Sequence, residues 1–430
     1  MFRMEGRAIH TIFYKGIPVG EYSTERAPFI RMEDFEQIYA LHIDRFDNEG
    51  KFEAEIRLIL TFIQSFLETG IPEGIRRDVL ETQTQSKNFL DLVNLIDEFT
   101  SDISIDKTDQ RFFNPIAPSV HSGVLEVNEI ASNEFIFPES GRGKGRTPSS
   151  HAGNFDKFTA VLEIKDTKTV LRKSDTNAEI GNVLVKPDPG VYDRLPLNEA
   201  ICLTLAGSAG LPVMRTWLAK DPKWSKKHFV TERFGIYSDA EGHVQRDMIV
   251  DGAWLLSADD ELKYSISAEM FFERLKEVLP RTDLLMYIKG YVYSYLIGNP
   301  DMHIKNVSFK YGGTAFALCP FYDIANFRIY GHNSDIALTI GNRDVITPSA
   351  ILDFAAERGV SHMEIGMMCK KILENIDAAI LQYADFSIAD ERNFVLIMRS
   401  DIIDRVEKMV NTIENMNRNQ SDADCFEKDR

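Results

Sequence analysis

Apolar and β-prone residues at positions 9–22 flank Lys15-Gly16, and this pattern predicts a hairpin. Residues 53–68 (EAEIRLILTFIQSFLE) carry apolar side chains at helical spacing, and Gly70-Ile71-Pro72 stops the run. A second amphipathic helix is predicted at 89–99, so the first hundred or so residues read as a small α/β module. The stretch 141–150 (GRGKGRTPSS) has no apolar period and is rich in turn formers, so it reads as a mobile loop. Strands are predicted at 158–164, 183–186 and 229–234, with a helix at 198–209 that Gly210 ends. Residues 235–263 look loop-rich and mark a lobe boundary. Beyond them the pattern turns helical, at 268–279, 283–298, 350–356, 362–383 and 390–416. The polar tail from Asn417 reads as frayed. A strand-rich first half before a helical second half gives a bilobal α+β plan.

Length agrees with that plan, since 430 residues exceed one compact core. A formal charge of −17 argues against broad nucleic-acid binding, which needs clustered Lys and Arg, yet suits a small basic protein partner. The four cysteines are scattered and form no CxxC, so they read as structural thiols of a reducing compartment. The opening residues lack the apolar core of a signal peptide, and the most apolar stretch, 284–298, is too short to span a bilayer. A cytoplasmic protein without membrane attachment is the expectation.

The chemistry concentrates in Asn299-Pro300-Asp301-Met302-His303-Ile304-Lys305-Asn306, which precedes a hairpin turning at Gly312-Gly313 and then Pro320-Phe321-Tyr322-Asp323. Phosphoryl transfer needs a carboxylate beside the nucleophilic hydroxyl, oxygen ligands for Mg²⁺, and a cation on the phosphates. Asp301 and Asn306 have the Asp-x-x-x-x-Asn separation of a kinase catalytic loop. Asp301 would orient the hydroxyl and take its proton, and Asn306 and Asp323 would hold the metal. Lys305 would stabilise charge on the transferring group, while His303 would organise the loop. Alone, Asn-Pro-Asp is a turn; the spacing, the hairpin and the second Asp together carry the reading. Gly141-x-Gly143-x-Gly145 is not a phosphate-binding Walker loop, because no Gly-Lys-Ser/Thr opens a helix after it.

These residues resemble a known family. The 299–306 stretch looks like the N-x-D-x-H-x-K-N signature of HipA-like toxin kinases, and Pro320–Asp323 resembles their P-x-Y-D motif. Asn198-Glu199 through Gly210-Leu211-Pro212-Val213 is similar to the family's N-E helix, and Thr231-Glu232-Arg233-Phe234 to its V-E-R-F-D strand end. The likeness is strongest over 150–323. It implies a bilobal protein-kinase-like fold with a strand-rich N-terminal lobe and an all-helical C-terminal lobe. The expected divisions are an N-terminal subdomain at 1–110, a kinase N-lobe at 111–250 and a C-lobe at 251–430.

The resemblance also implies ATP and Mg²⁺ as cofactors. Lys186 would contact phosphates, the backbone at Glu232 and Phe234 would receive adenine, and Ser150 and Gly153 would belong to the phosphate loop. Glu199 would pair with Lys186, or would serve the helix N-terminus. Ser150, with Ser149 as the alternative, would be autophosphorylated and thereby switch the kinase off; about two added negative charges would repel ATP. Phe155 and Asp156 depart from the family's Gln and Glu in that loop. The implied activity is a serine/threonine protein kinase toxin acting on a translation component such as an aminoacyl-tRNA synthetase. The implied partner is a small helix-turn-helix antitoxin, through which DNA would be reached indirectly. The alternatives are a catalytically silent kinase-like co-repressor or binding module, and a kinase of lipids or small molecules.

Overall fold

In the computed structural model the described residues are 9–14, 17–23, 26–29, 103–105, 111–126, 157–165, 168–174, 178–220, 227–256, 266–311 and 315–428. The helices expected at 53–68 and 89–99 lie outside them, as does the 141–150 loop. The first hairpin forms as its pattern predicts. Strands β1 (Ile9–Tyr14) and β2 (Ile17–Ser23) pair antiparallel, with Tyr14 opposite Ile17. β3 (Arg26–Phe29) and β4 (Ile103–Ile105) complete a four-stranded sheet in the order β3-β2-β1-β4.

β5 (Phe112–Phe113) forms a separate parallel pair with β9 (Glu179–Ile180). The N-lobe centres on six strands: β6 (Gly123–Glu126), β7 (Phe158–Lys165), β8 (Lys168–Lys173), β10 (Val183–Lys186), β11 (Thr216–Lys220) and β12 (Lys227–Glu232). Their order is β6-β11-β12-β10-β7-β8, and β6 joins β11 in parallel. Side chains alternate across this sheet with the period of two that strands impose. Trp217, Ala219, Val230, Val183 and Val185 enter a core on one face with Ile116, Val120, Ala160 and Leu162. Leu218 and Phe229 enter the main core on the other.

Helix α1 (Leu195–Ser208) covers that second face and is buried on nearly every side, including at Asn198 and Glu199. It belongs to the interior class of helices, apolar on most sides, with Asn198 and Glu199 as its buried polar residues. Residues 235–256 are more ordered than their composition suggests. They form β13 (Ile236–Ser238), β14 (Val244–Arg246), β15 (Met248–Asp251) and α2 (Gly252–Leu256).

The second lobe is helical: α3 (Ala268–Lys276), α4 (Arg281–Ile297), α5 (Pro348–Glu357), α6 (His362–Tyr383) and α7 (Ala389–Lys428). It also carries the expected hairpin, β16 (Ser308–Tyr311) and β17 (Phe316–Leu318), which β15 extends to three strands. The sequence signals for α6 are explicit. Ser361 accepts from the Glu364 backbone while Glu364 returns to the Ser361 N–H, a reciprocal cap. α7 runs past Asn417 to Lys428, so the tail is helical where fraying was expected.

Hydrogen bonds also bolt the two lobes together. Tyr383 at the end of α6 places its hydroxyl 3.0 Å from both Thr204 and Thr216 Oγ1. Lys227 of β12 donates to Glu391 of α7 at 2.5 Å and to the Tyr383 carbonyl at 2.9 Å. Among the described residues no helix is long and apolar enough to cross a membrane.

Candidate active site

α4 ends at Gly298, whose φ of 75° is left-handed backbone that glycine adopts without steric cost. The chain then turns into 299–306. Asn299 Oδ1 accepts from the Asp301 N–H at 3.1 Å, and the Asn306 side-chain amide donates to the Asp301 carbonyl at 2.7 Å. The Asp-x-x-x-x-Asn spacing thus closes a compact loop in which the side chain of Asn306 fixes the backbone of Asp301. With its nitrogen donating there, the Asn306 amide has its oxygen left as the side-chain acceptor. The Asp301 carboxylate stays accessible at 41% exposure, and His303 Nε2 lies 3.8 Å from its Oδ1. Lys305 is buried, and loss of solvent lowers its ammonium pKa to about 8.

The second loop is placed by a close approach. A Cβ on Gly290 would meet the Phe321 ring at 2.2 Å, so only glycine there lets Phe321 seat against the middle of α4. The Phe321 N–H also donates to the Pro212 carbonyl at 2.8 Å, tying the loop to the turn after α1. Next in line, the Tyr322 hydroxyl bonds the Lys305 carbonyl at 3.1 Å and lies 2.6 Å from Ser308 Oγ, while its ring stacks on Phe234. Tyr322 therefore carries its neighbour Asp323 up to the 301–306 loop, close enough for His303 to act on its charge.

Asp323 and Glu199 converge on Lys186. The Lys186 ammonium is 2.5 Å from Glu199 Oε1 and makes an ion pair with Asp323. Burial works against the charge on Lys186, but the two carboxylates outweigh it and raise its pKa above the ordinary lysine range. The carboxylates divide unequally. Burial dominates at Glu199 and raises its pKa despite Lys186. At Asp323 burial also acts upward, but Lys186, Lys157 and His303 win and bring it to about 2. Of the two readings of Glu199, the lysine pair is the one the structure contains.

Lys157 is the residue that pattern reading passed over. It immediately precedes β7, is 6% exposed, and its charge reaches both Asp323 and Glu199. A lysine ending a polar loop gives no sequence sign of burial.

The other predicted residues fall as follows. Glu232 ends β12 and gives its carboxylate to Arg215, at 2.7 and 2.8 Å. Arg215 in turn holds the carbonyls of Ile116, Ala117 and Val120. The Glu232 side chain is thus a strut, and its N–H donates to the Arg215 carbonyl at 2.9 Å. Phe234 stands half-buried against Tyr322. Ser149, Ser150 and Gly153 lie outside the described residues. Among the described residues no three His, Cys, Asp or Glu are grouped to hold a metal. The expected set, one carboxylate and one amide oxygen, is smaller than such a group, and hard oxygen donors of this kind suit Mg²⁺ bound jointly with phosphates.

A strand-rich lobe bearing a lysine–glutamate pair, over a helical lobe bearing paired loops, is an α+β fold of the protein-kinase-like class. The profile of the HipA-like C-terminal domain matches residues 149–382, and the chain belongs to that family. The provisionally named kinase Y4mE of Sinorhizobium fredii is 29% identical over 189 residues, 41% of this chain and 44% of that protein. A provisionally named kinase of Haemophilus influenzae is 25% identical over 236 residues, 52% of this chain and 62% of that protein. The chain thus spans about half the length of these curated relatives. A chain of the Shewanella oneidensis MR-1 toxin–antitoxin complex of HipA, HipB and operator DNA superposes with a TM-score of 0.61. It is 19% identical, over 83% of this chain and 87% of that one, a likeness of fold.

Proposed function

We propose that this chain is a serine/threonine protein kinase that transfers the γ-phosphoryl group of ATP, with Mg²⁺, to a hydroxyl on a protein. The observation that carries the reading is the convergence of Lys186, Glu199 and Asp323 beside the loop that holds Asp301 and Asn306. Lys186, oriented by Glu199, binds phosphate oxygens; Asp323 and the Asn306 amide oxygen hold Mg²⁺, which supplies charge neutralisation on the phosphates when bound. Asp301 orients the substrate hydroxyl and accepts its proton as that oxygen bonds to the γ-phosphorus and the bond to the ADP oxygen breaks. Lys305, charged below about pH 8, stabilises the transferring group. The backbone at Glu232 and Phe234 receives adenine, and Ser150, or Ser149, is the acceptor for self-inactivation.

By family, the chain acts in the cytoplasm as the toxin of a two-gene module. Its target is a translation component of the aminoacyl-tRNA synthetase kind, and a small helix-turn-helix antitoxin neutralises it and brings it to DNA. Support for the partner is the presence of HipB and operator DNA in the related complex.

The test is incubation of the pure chain with γ-labelled ATP and Mg²⁺. Label should appear on the protein and vanish in Asp301→Ala and in Asp323→Ala, both folded by circular dichroism. A wild-type chain that takes no label and binds no nucleotide would instead be the silent binding module, while label passing only to lipid or a small molecule would move the substrate class.

A further inference from the structure

Asp323 adopts a φ of 54°, a left-handed conformation rare outside glycine, so the chain on both sides must hold it there. On the preceding side Phe321 is fixed to Pro212 and Gly290. On the following side the anchor is Asn326, fully buried, with every polar group engaged. Its N–H donates to Asn198 Oδ1 at 2.8 Å and its carbonyl accepts from Asn198 Nδ2 at 2.8 Å. Its own Nδ2 donates to Asp401 Oδ2 at 2.8 Å, and its Oδ1 accepts from the Arg328 N–H at 3.1 Å. The next residue, Phe327, donates its N–H to the Gly298 carbonyl at 3.0 Å, at the mouth of the 299–306 loop.

Asn198 is itself fully buried and directly precedes Glu199 in α1. One turn of α1 therefore grips two things at once: Glu199 takes Lys186, and Asn198 takes the strand of chain leaving Asp323. Asp401 brings α7, the last helix, into the same grip. Resting on the kinase reading above, we infer that Asn198, Asn326 and Asp401 are positioning residues that set Asp323 against Lys186 and the 299–306 loop. The metal-binding carboxylate is aimed by an amide pair and a C-terminal-helix carboxylate, all encoded in the chain. The device works through direction: Asn326 donates, Asp401 accepts.

The direction can be reversed. Asn326→Asp sets two carboxylates face to face. Adding Asp401→Asn restores one bond with donor and acceptor exchanged. Misplacement of a reacting group by about an ångström costs on the order of 100-fold, so the single variant should lose about 10- to 100-fold in kcat. Its Kd for ATP without metal should stay within about twofold, because Lys186 remains paired with Glu199, while the Mg²⁺ concentration for half-maximal rate should rise. The double variant should return to within about threefold of wild type in kcat. Asn198→Ser, which withdraws both backbone bonds without adding charge, should show the same split and keeps the test open should Asn326→Asp not fold. Wild-type kcat in either folded single variant, or a double variant as slow as Asn326→Asp, overturns the inference alone. A wild-type chain that transfers no phosphoryl group overturns the kinase reading and this inference with it.

Discussion

Lys186→Met isolates the energetics of the charge cluster. The substitution keeps a flexible stem of similar length and removes the ammonium that two carboxylates share. Glu199 is only 6% exposed, so it cannot recover solvent when its partner is lost. Removing one member of a buried pair costs about 3–5 kcal/mol, since the stranded charge keeps its desolvation penalty. Glu199→Gln should behave oppositely. The raised pKa of Glu199 means that the fold disfavours its ionised form, so a neutral isostere should change stability by about 1 kcal/mol or less, in either direction. The double variant should then recover part of what Lys186→Met loses, because Glu199 no longer carries a stranded charge while Asp323 still does. Urea unfolding followed by tryptophan fluorescence reads this directly, as Trp217 is fully buried in the same sheet as Lys186. At a urea slope of about 2 kcal/mol per M, Lys186→Met should move the midpoint down by about 2 M. A midpoint within about 0.3 M of wild type, or a double variant no better than the single, would refute the reasoning.

Three further outcomes follow from the geometry. Burial holds Lys305 at about 8, so it is charged below that pH and neutral above it. The kcat of phosphoryl transfer should fall as pH rises through 8, and Lys305→Arg should move that limb beyond pH of about 9. The same burial costs stability below pH 8, a cost that fades as pH climbs toward the ordinary lysine range, which pH-dependent urea midpoints would register. Asp323 has the reverse sign: its folded pKa of about 2 is depressed, so its contribution is present above the ordinary aspartate pKa and is lost as pH falls through about 2. Asp323→Asn should forfeit that contribution at neutral pH, seen as a lower urea midpoint. Gly290→Ala offers a test of sign: helix propensity alone favours alanine by about 1 kcal/mol, but the Phe321 ring lies where the new Cβ would sit. Overpacking should win by about 1–3 kcal/mol, with kcat falling as the Asp323 loop shifts, and a stabilised variant would show that Phe321 yields.

The chain announced its chemistry before its shape. The Asp-x-x-x-x-Asn spacing is short-range, and the structure explains it locally, through the Asn306 amide on the Asp301 carbonyl. The α6 cap, the 16-residue reach from Asn306 to the loop at Tyr322 through one hairpin, and the two-residue alternation of β11 and β12 are likewise written in neighbouring residues. What could not be read locally is who shares a charge with whom. Lys186 and Asp323 are 137 residues apart, and Asn326 meets Asp401 across 75, so only folding brings them together. Residues 235–256 looked like loop because their strands are three or four residues long, too short for periodicity to register. Glu232, expected to meet the nucleotide through its backbone, spends its side chain on Arg215, a partner that β-pairing and not spacing selects. Sequence alone thus determined which functional groups the chain carries and how each loop is built. Tertiary structure decided which groups are desolvated, and burial is what turns an ordinary lysine, glutamate or asparagine into a group whose partner fixes its charge and place.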